Sequence, residues 1–159
     1  GDQTEAAAAA VQSTLASRGG PSGSGGTGGS GYVWNSSELN QWATDVQPGV
    51  TEVRGLPGVN SVFTRSDHHP SGPRAADAGL AGLPAGANVN DYPEVLAQGN
   101  TDAEYLMNNA ERLGIDYVIW NKRIWVAGKD PVAPASQWRE MKDRGSNTSN
   151  HRDHIHISW

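Results

Sequence analysis

The titratable side chains of this sequence concentrate in two short segments. The chain ends in NHRDHIHISW (residues 150–159), which contains Asp153 and three histidines, His151, His154 and His156. The other two histidines lie in SDHHPSGPRAADAGL (residues 66–80). Imidazole nitrogens and carboxylate oxygens bind zinc, and a hydrolytic zinc centre leaves one position open for water. The two clusters therefore predict a hydrolytic metal site, with solvated histidines on an edge strand as the alternative.

The terminal HIHISW alternates strictly between two kinds of side chain. His154, His156 and Ser158 fall on one face of a strand. Ile155, Ile157 and Trp159 fall on the other, because successive side chains in a strand point to opposite sides. We expect the apolar face to pack into the core and the imidazole face to line a cleft or meet water.

Composition excludes several classes of function. The 159 residues carry 12 basic and 17 acidic side chains, a net charge of -5, so the chain lacks the basic surface that grips nucleic acid. No apolar run approaches the roughly 20 residues that span a membrane. Cysteine is absent, which leaves His, Asp and Glu as the available metal ligands. The composition suits one soluble domain, which we expect to be a monomer.

The chain divides into a tail and a domain. Residues 4–18 (TEAAAAAVQSTLASR) have high helix propensity but little large apolar surface to bury. Residues 19–31 are almost entirely Gly and Ser, which is typical of a flexible tether. We therefore predict a disordered or helical tail with a linker over residues 1–31 and a folded domain over residues 32–159.

Local patterns predict three helices in the domain. A capping box that begins at Asn35 precedes an amphipathic pattern that ends at Pro48. A second capping box begins at Thr101, and Gly114 stands where the C-cap of that helix belongs. The third helix is predicted over residues 135–143.

The strands are predicted between these helices. A short strand is expected over residues 50–54, and IDYVIW with RIWV forms a hairpin across Asn121 and Lys122. Helices interleaved with hairpins indicate an α+β fold, a small mainly antiparallel sheet with helices packed on it.

Several ordered motifs carry a family resemblance. SDHHPSGPRAADAGL and DHIHISW resemble the zinc-dependent peptidoglycan peptidases related to D-Ala-D-Ala carboxypeptidases and the Hedgehog signalling domain. Their pattern is S-x-H-x-x-G-x-A-x-D, followed much later by E-x-x-H or H-x-H. A secreted bacterial branch has LGI-x-YVIW, a RIW strand, M-x-DRGS-x-T-x-NH and DHVHVS. This chain has LGIDYVIW, RIWVAG, MKDRGSNTSNH and DHIHIS in that order, over about residues 34–159.

The resemblance assigns roles by position. It implies a Hedgehog-like or D-Ala-D-Ala-peptidase-like fold with Zn²⁺ as the cofactor. The implied zinc ligands are His69, Asp77 and His156. Asp153 would be the general base, His154 would stabilise the tetrahedral intermediate, and Arg74 would hold a carboxylate or oxyanion. His151 would lie behind the ligands or be exposed.

Pro73 departs from the family pattern. It places Asp77 eight residues after His69 and nine after His68, which leaves the choice between these histidines open. An inserted residue is either absorbed as a bulge or turns the carboxylate of Asp77 off the metal. Strict alternation also turns Asp153 away from the imidazole face, so the chain must bend just before the last strand.

The resemblance implies a secreted or cell-envelope bacterial enzyme. Its activity would be zinc-dependent hydrolysis of amide bonds in peptidoglycan stem peptides, next to a D-residue. Two alternatives remain at the level of sequence. In the first, the domain is a catalytically degenerate module that binds cell wall or a protein partner. In the second, its HxH motif belongs to a different metal site, of the kind found in cupin-like barrels.

Overall fold

The computed structural model describes residues 36–64 and 73–159. It is an α+β fold built on one six-stranded sheet in which every neighbouring pair of strands is antiparallel. The strands lie in the order β1-β2-β6-β3-β4-β5. Their bounds are Val59–Phe63 (β1), Ala75–Leu80 (β2), Tyr117–Trp120 (β3), Arg123–Val126 (β4), Arg139–Glu140 (β5) and Ile155–Ser158 (β6).

The described residues also form four α-helices and three 3-10 turns. The helices are Ser36–Leu39 (α1), Gln47–Arg54 (α2), Pro93–Asn108 (α3) and Ala110–Leu113 (α4). The 3-10 turns are Thr44–Val46, Val89–Asp91 and Ala135–Gln137. Helix α2 packs on β1 and β2, and α3 packs on β3, so both long helices contact the sheet.

The two faces of the sheet differ in character. One face carries small and apolar side chains that are fully buried, among them Ala76, Ala78, Ile155, Ile157 and Val118. These side chains belong to the apolar cluster that also contains buried residues of α2 and α3. The other face carries the row of paired residues Phe63, Asp77, His156, Ile119, Ile124 and Arg139, one from each strand. The polar centre of the molecule therefore lies on the face opposite the core.

Predictions based on short-range patterns are confirmed. The hairpin turns at Asn121 (φ 53°) and Lys122 (φ 66°), the paired left-handed residues of a two-residue turn. Gly114 caps α4 in the left-handed conformation (φ 73°). In β6 the isoleucines are 0% exposed and the alternating histidine and serine are half-buried, as the alternation predicts.

The predicted helix boundaries are wrong in three places. Pro48 lies in the first turn of α2 and does not end a helix, so residues 50–54 are helical and not a strand. Helix α3 begins at Pro93, and Thr101 donates its hydroxyl to the Ala97 carbonyl inside it. Residues 135–143 contain a 3-10 turn and β5 where a helix was expected, because β5 pairs with β4.

The N-terminal predictions fall outside the described residues. The tail and linker over residues 1–31, the first part of the expected domain and the Asn35 cap all lie there. In the described part of the chain, no helix is long and apolar enough to cross a membrane.

A substitution at Gly99 tests how tightly α3 packs on the sheet. A Cβ at this position would lie 2.2 Å from Cζ2 of the buried Trp120, whose indole is also held by Asn100. We expect Gly99→Ala to lower the free energy of unfolding by about 2 kcal/mol, because overpacking outweighs the gain in helix propensity. Thr101→Ala on the exposed side of the same helix is the control and should change it by less than about 0.5 kcal/mol. Chemical denaturation measures both, and a stabilised Gly99→Ala would contradict the packing.

Candidate functional site

Two neighbouring strands bring Asp77 and His156 together. The residues are paired across β2 and β6, and His156 Nδ1 lies 3.0 Å from Asp77 Oδ1. Tyr117, from the next strand, stacks on the imidazole of His156 with ring centroids 5.7 Å apart. The position of this imidazole is therefore set by the sheet and by an aromatic neighbour.

Two further histidines complete the cluster. His154 precedes β6, and its Nε2 lies 3.6 Å from the same Asp77 Oδ1. The ring of His151 lies 4.8 Å from that of His154 and 5.5 Å from that of His156. His151 has a positive φ of 55°, which marks the bend that the sequence requires before the last strand. Three imidazoles thus lie together beside one carboxylate.

Asp153 lies behind His154 and is tightly held. Its Oδ1 lies 2.6 Å from His154 Nδ1. Its Oδ2 accepts hydrogen bonds from the Thr148 hydroxyl at 2.6 Å and from the Gly86 backbone N–H at 2.8 Å. The side chain is only 6% exposed. These contacts fix the carboxylate and direct Nε2 of His154 towards Asp77.

The electrostatics of the cluster favour charged carboxylates. Burial acts to raise the pKa of Asp77, but the hydrogen bond to His156 and the nearby imidazoles outweigh it and lower that pKa. Burial likewise acts to raise the pKa of Asp153, and the bonds from Thr148 and His154 lower it below its usual range. Burial, with the charges of His154 and His156, lowers the pKa of His151 to about 4. His151 is therefore neutral at physiological pH.

The cluster opens into a cleft of about 740 Å³. Its polar lining includes Asp77, Arg144, Thr148, Ser149, Asp153 and all three C-terminal histidines. Its apolar lining includes Phe63, Leu80, Leu83 and Ala85. A space of this size, with convergent polar groups and an apolar wall, is typical of a ligand site.

The structure brings four of the predicted residues together. Asp77, His156, His154 and Asp153 form the cluster, whereas His68 and His69 lie outside the described residues. Despite the extra Pro73, the carboxylate of Asp77 faces His156.

Arg74 is not brought to the cluster. Both terminal nitrogens of its guanidinium donate to Asp45 at 2.8 Å, and the residue does not line the cleft. The hydrogen bond to Asp45 raises the pKa of Arg74, and the loss of hydration opposes that rise more weakly. The structure thus gives Arg74 a partner in the fold.

Sequence reasoning missed part of the site. Thr148 and Gly86 hold Asp153, His151 joins the cluster, and Arg144 lines the cleft. Arg144, Thr148 and His151 all belong to the segment MKDRGSNTSNH, so that motif was the signal that could have found them. Gly86 contributes only its backbone N–H, a group that every residue except proline carries, so its residue type could not have marked it.

The described residues supply some of the donors that a metal site needs. Within residues 36–64 and 73–159, no group of three or more His, Asp or Glu side chains has the arrangement that holds a metal ion. Asp77 and His156 supply two donors of the kinds that zinc binds. Any third ligand from the first histidine cluster lies in the segment 65–72.

The fold and the cleft together define a small α+β domain with a His/Asp cluster on the open face of its sheet. The family described as "VldE, C-terminal domain" matches residues 36–152, which is most of the chain, and the chain belongs to that family.

A curated relative is described as an uncharacterized secreted protein of Arthroderma benhamiae (strain ATCC MYA-4681 / CBS 112371). It is 49% identical over 55 residues, which are 35% of this chain and 22% of that protein. The match therefore spans about a fifth of the relative's length. No solved structure matches the chain.

The lowered pKa of His151 makes the stability of the metal-free protein depend on pH. Between about pH 4 and 6.5 the unfolded chain binds a proton at this position that the folded chain does not. The free energy of unfolding should therefore rise with pH across this window, by on the order of 1–3 kcal/mol. His151→Gln should remove this contribution.

Denaturation in EDTA at a series of pH values measures this contribution. An NMR titration of the wild-type His151 ring gives an independent result, with an expected midpoint near 4. A midpoint near 6.5, or an unchanged slope in His151→Gln, would contradict the assignment.

Proposed function

We propose that this domain is a zinc-dependent peptidase that hydrolyses amide bonds in peptidoglycan stem peptides, next to a D-residue. The observation that carries the proposal is the position of Asp77 Oδ1 between two imidazole nitrogens, 3.0 Å from His156 Nδ1 and 3.6 Å from His154 Nε2. These groups line a cleft large enough for a peptide. The order of motifs that resembles the peptidoglycan peptidases supplies the substrate class.

The kinds of side chain that meet at the site support zinc as the cofactor. Asp77 and His156 bring a carboxylate and an imidazole together in the cleft, and zinc binds both kinds of group. His69 would be the third ligand, with His68 as the alternative in the same segment.

The chemistry divides between the cofactor and the chain. Bound zinc would polarise the amide carbonyl and make water a nucleophile at neutral pH. The chain must take a proton from that water and give it to the leaving amine as the C–O bond forms and the C–N bond breaks. The side chain that does this must reach the cleft with a free nitrogen or oxygen.

The contacts of Asp153 favour a positioning role over that of general base. Its two oxygens already serve three hydrogen-bonding partners, and its side chain is almost fully buried. When His154 donates its Nδ1 proton to Asp153, Nε2 presents its lone pair to the cleft. We therefore assign proton transfer to His154 Nε2 and the orientation of its ring to Asp153.

The fold family, the location and the binding partner of the protein belong to the same proposal. The Hedgehog-like or D-Ala-D-Ala-peptidase-like fold is consistent with an antiparallel sheet whose open face carries the cluster. The relative described as secreted supports a secreted or cell-envelope location. Peptidoglycan peptides would be the partner, bound by a monomer.

Zinc content tests the metal site. The wild-type protein should bind close to one zinc per chain at neutral pH, and Asp77→Asn should weaken zinc binding by at least about 100-fold, because it replaces an anionic ligand with a neutral amide. Asp91→Asn removes an exposed carboxylate outside the cleft and should leave zinc binding unchanged. Metal analysis after dialysis against a graded chelator measures all three proteins.

Release of stem peptides from purified peptidoglycan then tests the activity. A wild-type protein that holds no zinc would rule out the enzyme. Zinc binding without peptide release would favour the catalytically degenerate module that binds cell wall.

The positioning role of Asp153 has its own test. Asp153→Asn should lower kcat by about 100-fold or more, with zinc content and KM unchanged, because the ring of His154 loses its orienting acceptor. Thr148→Val should lower kcat by about 3- to 10-fold, since it removes one of the bonds that hold the carboxylate. Thr148→Ser keeps the hydroxyl and should behave like the wild type. A His154→Gln variant with near-normal kcat would show that the proton passes through another group.

A further inference from the structure

Arg144 is a cation in the wall of the cleft. It is exposed and lines the same space as His151 and His154. Other basic side chains form ion pairs on the protein surface: Arg74, Arg112, Lys122 and Arg139. Within the described residues, Arg144 has no carboxylate in salt-bridge distance. Its five N–H donors are therefore available to a ligand.

The backbone at Arg144 is held in place. Its N–H donates to Asn150 Oδ1 at 2.8 Å, and Asn150 is only 7% exposed. Asn150 Nδ2 donates to Asp143 Oδ1 at 3.0 Å, which also accepts the Gly145 N–H at 2.8 Å. The same loop carries Thr148, which holds Asp153. The loop therefore ties the backbone of Arg144 to the segment that holds Asp153.

The surroundings of Arg144 favour an anionic ligand group. Its positive charge acts to lower the pKa of His151, as the weakest influence after burial, the two other histidines and Asp77. Phe63, which is 49% exposed, and Leu83 supply apolar surface to the same cleft. A single guanidinium beside apolar surface can orient a peptide through one carboxylate, since a guanidinium binds a carboxylate by two parallel hydrogen bonds.

We propose that Arg144 is a specificity-determining residue that binds a carboxylate of the peptide substrate. The inference rests on the proposed function, since it takes a peptide to be the occupant of the cleft. In a stem peptide the carboxylate belongs either to the C-terminus or to the free α-carboxyl of a γ-linked D-Glu. Arg144 would thus bind the carboxylate that the family resemblance suggested for Arg74.

Three synthetic pentapeptides test the proposal. The first is L-Ala-γ-D-Glu-L-Lys-D-Ala-D-Ala with both carboxylates free, the second has a C-terminal amide, and the third carries D-isoglutamine in place of D-Glu. Their affinities are measured by calorimetry on the Asp153→Asn protein, which is impaired in turnover, and on the same protein with Arg144→Gln. Lys142→Gln is the matched control, because it removes a nearby exposed positive charge that does not line the cleft.

The parent protein should bind the first peptide about tenfold more tightly than one of the two neutralised peptides. Arg144→Gln should abolish that preference, and Lys142→Gln should keep it. The neutralised peptide that binds more weakly than the first shows which carboxylate Arg144 binds. A preference that survives Arg144→Gln, equal affinity for all three peptides, or no saturable binding of the first would overturn the inference.

Cleavage by the zinc-loaded wild type separates this inference from the proposed function. If the carboxylate preference depends on Arg144 but no peptide is cleaved, the role of Arg144 stands and the proposed peptidase activity is wrong. Cleavage of the first peptide with kcat/KM unchanged by Arg144→Gln would reject the inference and sustain the peptidase.

Discussion

The site depends on how one short strand is placed in the sheet. β6 lies between β2 and β3, with Ile155 and Ile157 fully buried on the core face. Their burial sets the register of the strand, because a shift by one residue would exchange the two faces. The same register places His156 beside Asp77 on the open face. Two isoleucines of the hydrophobic core therefore determine where an imidazole meets a carboxylate.

Several ionisable groups crowded at a half-buried site are stable only when they compensate one another. Asp153 is satisfied by Thr148, His154 and a backbone N–H, and Asp77 is flanked by two imidazoles. His151 lacks such compensation, since its buried Nδ1 has no hydrogen-bond partner within residues 36–64 and 73–159, and burial keeps it neutral. The two carboxylates hold negative charge at the floor of the cleft, whereas Arg144 holds positive charge at its wall.

The extra Pro73 illustrates why a residue count is a poor guide to a site. Pro73 precedes β2, and its carbonyl accepts the N–H of Ala43 outside the strand. From Ala75 onward the position of each residue is set by pairing with β6. Asp77 therefore reaches His156 through sheet register, and its distance in sequence from the first histidine pair does not decide its direction.

The sequence by itself determined the features that arise from neighbours along the chain: the two faces of β6 around His156 and the hairpin turn at Asn121. These depend on periodicity and turn chemistry, which operate over a few residues. Only the tertiary structure decided that Pro48 starts a helix, that Arg74 pairs with Asp45, and that Thr148 holds the carboxylate behind the cluster. Arg74 and Asp45 lie 29 residues apart and meet only when the chain packs. Pro48 and Thr148 act over a few residues, but their local patterns allow more than one conformation. The packing of α2 on β1 and the bond to Asp153 from Gly86, 67 residues away in sequence, select the one that forms.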